Sequence, residues 1–264
     1  MMMTNGISSC LAQSGRRKLL IPFFTAGYPN MATTLEMVRV AADSGADMVE
    51  LGFPFSDPLA DGPLIQMSSW EAIQGGTTLA SVLKVVAALR RFSDISIILM
   101  GYYNPVIAMG LEAFAKRAAG AGVDGLILPD VPVDESNSVR IAANRHNLSL
   151  IYLVAPTTTR PRLTQIDLAS TEFVYAVTVT GVTGTGQRFS GETDRYLRQI
   201  RRTLSKPFVA GFGVSGPDDA VRLCRHADGV VIGSALVRLM ATTRNLRDCR
   251  QQVGKFLSSL RRAL

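Results

Sequence analysis

Short apolar runs alternate with amphipathic stretches from one end of the chain to the other, a pattern that predicts repeated strand–helix units around a parallel sheet. Eight runs read as strands: Leu19–Thr25, Met48–Leu51, Ser96–Gly101, Gly125–Leu128, Ser149–Val154, Phe173–Val177, Phe208–Gly211 and Gly229–Ile232. Helical periodicity lies between and after them, at Ala32–Ser44, Leu79–Arg91, Leu111–Ala121, Asp134–His146, Pro161–Ala169, Thr193–Leu204, Pro217–Cys224 and Arg244–Arg262. A further short helix is expected near Asn5–Gln13. The triplets Gly45-Ala46-Asp47, Gly122-Val123-Asp124 and His226-Ala227-Asp228 each stand directly before a strand, which marks equivalent units. Their aspartates fall at helix-to-strand turns, the face of a barrel where stability is built. Eight units in 264 residues without a linker favour one closed (β/α)8 barrel, a TIM barrel spanning 1–264, over two doubly wound domains.

Composition changes this picture little. With 47% hydrophobic and 19% charged residues the chain can bury a core, which excludes a disordered polymer. No window approaches the roughly 20 apolar residues of a membrane span, and the first residues are polar, so a cytoplasmic protein is expected. Cys10, Cys224 and Cys249 are too widely spaced for a zinc site or a disulfide framework. The 28 basic and 21 acidic residues leave a net charge of +7. Arginines recur at helical spacing (Arg195, Arg198, Arg201, Arg202; Arg244, Arg247, Arg250) with no interleaved aromatics. They read as solvated helix faces rather than a nucleic-acid surface, and attraction of an anionic substrate or an acidic partner stays open.

Barrel chemistry takes place on the loops after the strands. His146 and His226 lie on the opposite face, and none of the five lysines stands after a strand, so a metal triad and a Schiff base both lack their side chains. Carboxylates remain. Glu50 interrupts an apolar strand and shares a face with Gly52, opposite Val49 and Leu51. An inward carboxylate there is catalytic or else a core glutamate satisfied by hydrogen bonds. The loop from Phe53 to Pro63 carries Asp57, Asp61 and three prolines and is too elaborate for a mere connection, although Asp57-Pro58 is also ordinary turn chemistry. Glycine-rich segments follow the last three strands: Gly181-Val182-Thr183-Gly184, Gly211-Phe212-Gly213 and Gly233-Ser234. Such loops with a short helix behind them suit a phosphate, and Ser234 is expected to cap the helix Ala235–Met240. The loop Gly181–Gly191 has the length and glycine content of a lid.

The run Glu50–Pro63, Asn104-Pro105, Pro129-Asp130-Val131-Pro132 and the three glycine segments together resemble the tryptophan synthase α subunit family over nearly the whole chain. The resemblance implies a barrel with an extra N-terminal helix and elaborated loops after the second and sixth strands. It implies cleavage of indole-3-glycerol phosphate to indole and glyceraldehyde 3-phosphate without metal or organic cofactor. The indole would pass to a pyridoxal-phosphate-containing β subunit in an α2β2 heterotetramer. By resemblance Glu50 is the general acid–base residue and Asp61 the partner of the indole ring. Phe23, Tyr102, Tyr175 and Phe212 surround the indole and glycerol parts, while Gly184, Gly213, Gly233 and Ser234 bind the phosphate. Pro54, Asp57, Pro58 and Thr183 belong to segments that close the site and signal to the partner. No membrane or nucleic acid is implied. The lone Trp70 is expected to pack against the barrel or a partner. Rival readings are a free-standing indole-3-glycerol phosphate lyase, another phosphate-binding barrel such as a sugar-phosphate isomerase, and a regulatory subunit that has lost its chemistry.

Overall fold

A computed structural model describes residues 5–15, 17–178, 191–211 and 213–264. Among them the strand segments are β1 (Leu19–Thr25), β2 (Met48–Gly52), β3 (Ser96–Met100), β4 (Gly125–Ile127), β5 (Ser149–Leu150), β6 (Leu153–Val154), β7 (Val174–Val177), β8 (Phe208–Gly211) and β9 (Gly229–Ile232). Every pairing is parallel, and the order is β5-β4-β3-β2-β1-β9-β8-β7-β6. The two ends of that order, β5 and β6, are consecutive in the chain and pair with β4 and β7 respectively. Ile151 N–H donates to the Leu126 carbonyl and Tyr175 N–H to the Tyr152 carbonyl, so one stretch of chain joins both ends of the sheet. The sheet therefore closes on itself, with eight staves and parallel strands, as a TIM barrel. The fifth stave is expected as one strand, yet it is interrupted at Ile151 and Tyr152. There the Tyr152 N–H turns to the Ser170 hydroxyl instead of a neighbouring strand.

The helices are α1 (Gly6–Ser14), α2 (Met31–Asp43), α3 (Pro63–Gln74), α4 (Leu79–Leu89), α5 (Tyr103–Met109), α6 (Leu111–Ala121), α7 (Asn137–Arg145), α8 (Arg160–Ala169), α9 (Gly191–Thr203), α10 (Pro217–Cys224), α11 (Ser234–Ala241) and α12 (Leu246–Ala263). Two are additions to the expected set. In α3 the inward positions include Ser68 and Ser69 beside Ile65 and Ala72, which hides the apolar period. Its proline sits at the helix start behind Gly62, where the missing N–H is of no consequence. A buried Thr25–Ser68 hydroxyl pair at 2.7 Å ties α3 to the end of β1. Helix α5 begins where the Asp130 carboxylate accepts the Tyr103 N–H at 2.9 Å, a cap supplied from the loop after β4 and invisible locally. Helix α1 seals the barrel floor. Its Ile7 is fully buried beneath Gly125, and Asn5 accepts the Ile7 N–H while donating to the Asp124 and Asn147 carbonyls.

The three recurring aspartates share one device at this floor. Asp47, Asp124 and Asp228 accept the N–H of Leu20, Ile97 and Phe208, at 2.8, 2.8 and 2.9 Å, and their own N–H groups return to the carbonyls of the same residues. Each also faces an arginine: Arg17 and Arg261 at Asp47, Arg90 at Asp124, Arg201 at Asp228. Each turn is thus pinned to the start of the preceding stave. Asp47 is the most enclosed, its side chain 1% exposed and that of Arg261 16%. Asp47→Ala is expected to lower the unfolding free energy by about 3 kcal/mol, because it strands a guanidinium and the Leu20 N–H. Urea denaturation at unchanged m-value measures this, and an unmoved midpoint contradicts it. The histidines and two of the lysines lie at this end too: His146 meets Glu112 at 2.8 Å, while Lys18 and Lys206 donate to the Ala227 and Asp167 carbonyls. Among the described residues no single helix is long and apolar enough to cross a membrane.

Candidate active site

Glu50 lies in the middle of β2, paired in register with Phe23 of β1 and Ile98 of β3. It is 1% exposed, and neither carboxylate oxygen has a hydrogen-bond partner among the described residues. No protein group among the described residues therefore supplies the hydrogen bonds that a core glutamate needs. Burial first, and the Asp61 charge second, push its pKa up to about 8. Asp61 stands at the end of the loop after β2, just before α3. Burial raises its pKa to about 6 against the opposing effect of a hydrogen bond from Tyr102. The Tyr102 hydroxyl donates to Asp61 Oδ2 at 3.2 Å and accepts the Ala60 N–H at 2.9 Å, so a residue following β3 fixes the loop that carries Asp61. Phe55 stacks on Tyr102 with ring centroids 5.3 Å apart.

Tyr175 rises from β7, the sixth stave and hence opposite β2. It is buried, and its hydroxyl is held well above its ordinary pKa by burial, then by Glu50, then by Asp61. Glu50, Asp61 and Tyr175 are thus close enough for the charge of one to act on the others. Phe23 spans the remaining side. Its ring tip occupies the space a Cβ would need at Gly52, and its near edge lies 3.2 Å from where a Cβ on Gly233 would stand. Phe23 thus bridges the carboxylate side and the last stave. At Gly211 a Cβ would overlap the Tyr175 hydroxyl, so glycine there makes room for it.

On the last stave, Gly233 caps α11 and its carbonyl accepts from Leu236 and Val237. Ser234 is the first helical residue and makes no side-chain cap, so the capping expected of it falls to Gly233. No acidic residue occupies the first turn, which leaves the helix N-terminus suited to an anion. Gly213, with φ of +80°, adopts the left-handed backbone that glycine permits after β8. Gly184 and Phe212, together with Thr183, lie outside the described residues.

Along the loop after β2, Pro54 is half-buried, Pro58 buried and Asp57 exposed. Leu59 is 90% exposed at its crest. Trp70 on α3 is 59% exposed, so it does not pack into the barrel wall. The recess beside Asp61 is walled by Phe23, Phe55, Ile65, Ser69, Met100 and Tyr102. Phe55, Ile65, Ser69 and Met100 escape the sequence reading, since Ile65 and Ser69 sit on the unexpected helix α3. The signal for them was the Gly62-Pro63 helix start, which sets the spacing of everything after it.

Carboxylates, a tyrosine and a helix N-terminus gathered at the carboxyl ends of the staves define a TIM-barrel enzyme. The family model for the tryptophan synthase alpha chain matches residues 10–263, and the chain belongs to that family, a lyase family whose alpha reaction cleaves indole-3-glycerol phosphate. It is 45% identical over 262 residues to the tryptophan synthase alpha chain of Pelobacter propionicus, covering 98% of each. The crystal structure of the tryptophan synthase alpha subunit from Legionella pneumophila superimposes with a TM-score of 0.91 at 34% identity, over 99% of this chain and 98% of that one. A chain of the tryptophan synthase α2β2 complex from Pyrococcus furiosus gives 0.86 at 35% identity, over 98% and 99%.

Proposed function

We propose that Glu50 and Asp61 divide the acid–base work of indole-3-glycerol phosphate cleavage between them, and that this chain hands the indole to a β subunit in an α2β2 assembly. The observation that carries the reading is the buried Glu50 carboxyl, without a hydrogen-bond partner among the described residues and with its pKa raised to about 8. At neutral pH it holds a proton while Asp61, at about 6, is mostly ionised. Two carboxyls whose surroundings separate their pKa values take separate roles. Glu50 delivers its proton to the ring carbon that bears the glycerol chain. Asp61 accepts the indole N–H and stabilises the positive character that grows there. As the carbon–carbon bond breaks, Glu50, now a carboxylate, takes the proton of the adjacent hydroxyl, which restores the acid and releases the aldehyde. No metal or organic cofactor enters this route.

The side chains around Asp61 are aromatic and aliphatic, the chemistry that a flat apolar ring contacts, and Phe23 and Tyr175 flank the glycerol portion. Gly213, Gly233 and Ser234, with Gly184, hold the phosphate, whose binding energy orients the reacting carbons. Pro54, Asp57, Pro58 and Thr183 belong to the segments that close over the substrate and meet the partner. The exposed Leu59 and Trp70 support an interaction face on this side. Work in the cytoplasm is part of the proposal, and three free cysteines support a reducing compartment.

Indole release from indole-3-glycerol phosphate, with and without a β subunit, tests this reading. Weak turnover that rises on adding the partner is expected, whereas high turnover alone assigns a free-standing lyase instead. In the same assay Ser234→Asp is expected to raise KM roughly tenfold, since a negative charge at the helix N-terminus opposes the phosphate. An unchanged KM removes Ser234 from the phosphate site.

A further inference from the structure

Away from the barrel mouth, a groove of about 530 Å3 runs between α8 and α9, lined by Arg160, Arg195, Arg198, Gln199, Arg202 and Thr203. Arg195, Arg198 and Arg202 stand at i, i+3 and i+7 on α9, while Tyr196, Leu197 and Ile200 bury its other side. These three arginines form a stripe about 10 Å long, and Arg160 at the start of α8 faces the same groove. Of the carboxylates nearby, Asp194 pairs with Arg222 at 3.1 Å, Asp228 with Arg201 at 2.6 Å and Asp134 with Arg162, while Glu192, exposed in the first turn of α9, makes no ion pair among the described residues. Among the described residues none of the four groove arginines has a carboxylate within ion-pair distance.

Four unneutralised guanidinium groups on one groove repel one another and set up a local positive field. A single phosphate meets at most the forks of one or two adjacent arginines. A chain of linked phosphates reaches along the whole stripe and meets each fork in turn. Among the described residues the lining holds no aromatic side chain on which a base would stack, which sets the groove apart from a single-stranded nucleic-acid platform. We propose that the α8–α9 groove is a binding site for a polyphosphate anion, separate from the substrate phosphate site at α11.

Inorganic triphosphate is the probe, titrated into the full chain by calorimetry at fixed ionic strength, with inorganic phosphate as comparison. A site at least tenfold tighter for triphosphate than for phosphate is expected. The variant R198Q/R202Q is expected to lose at least tenfold in triphosphate affinity while keeping its lyase turnover, which shows that it is folded. Ser234→Asp is expected to leave triphosphate binding unchanged, because it alters only the substrate phosphate site. The proposal is overturned if triphosphate does not bind or binds R198Q/R202Q as well as the parent chain. Loss of binding in Ser234→Asp overturns it equally, since the anion then sits in the substrate site. A single-stranded oligonucleotide that binds tighter than triphosphate and also depends on Arg198 and Arg202 replaces it with a nucleic-acid surface.

Discussion

Glu50→Gln is expected to lower lyase turnover by about 10²–10⁴-fold while substrate affinity stays within a few-fold of the parent, because it removes a proton-transfer group and keeps its shape. Single-turnover measurements separate the two effects, and retention of most activity rules out Glu50 as the proton carrier. The same substitution has the opposite effect on stability. The folded-state pKa of Glu50 is raised from 4.5 to about 8. Between those values the folded chain binds more protons at this position than the unfolded chain does, so stability falls as pH rises through the interval. Glutamine has no charge to bury. The variant should therefore gain on the parent by on the order of 1 kcal/mol per pH unit as pH is raised across this window. Equal denaturation midpoints for the two proteins at pH 5 and pH 8 contradict this.

Asp61 carries the second large effect. If cleavage needs Glu50 protonated and Asp61 ionised, kcat/KM rises as pH passes about 6 and falls as it passes about 8. The two groups interact, so the limbs belong to the pair rather than to either residue alone. Asp61→Asn is expected to lower kcat/KM by about 10²–10³-fold through loss of the charge opposite the indole N–H. It should also abolish the acid limb. Because the Asp61 charge is one of the two causes that raise Glu50, its removal should shift the alkaline limb of the residual activity to lower pH. A variant profile that keeps its acid limb assigns that limb to another group.

The barrel was legible because each stave is a short apolar run and three of the turns that precede a stave end in the same aspartate chemistry. Three strands, Leu19–Thr25, Phe208–Gly211 and Gly229–Ile232, have the expected limits. Helices α3 and α5 were not legible, for physical reasons. One buries two serines, and the other starts on a carboxylate 27 residues downstream. At the site, Glu50 stood out as a charge inside an apolar run, and Asp61 as an acid in a proline-rich loop. What sequence spacing did not convey is that Tyr102 bonds both Asp61 and Ala60, which makes it a brace for the loop as well as a wall of the recess. Tyr175 shares the electrostatics of Glu50 only because barrel closure brings opposite staves together.

The central claim is that the Glu50 carboxyl remains protonated at neutral pH inside the barrel. Carbon-13 NMR of the chain labelled at glutamate side-chain carboxyls, with Glu50→Gln to assign the resonance, measures this directly. A titration midpoint near 8 is predicted for Glu50. A midpoint near 4.5, the ordinary value of a solvated glutamate, contradicts the account.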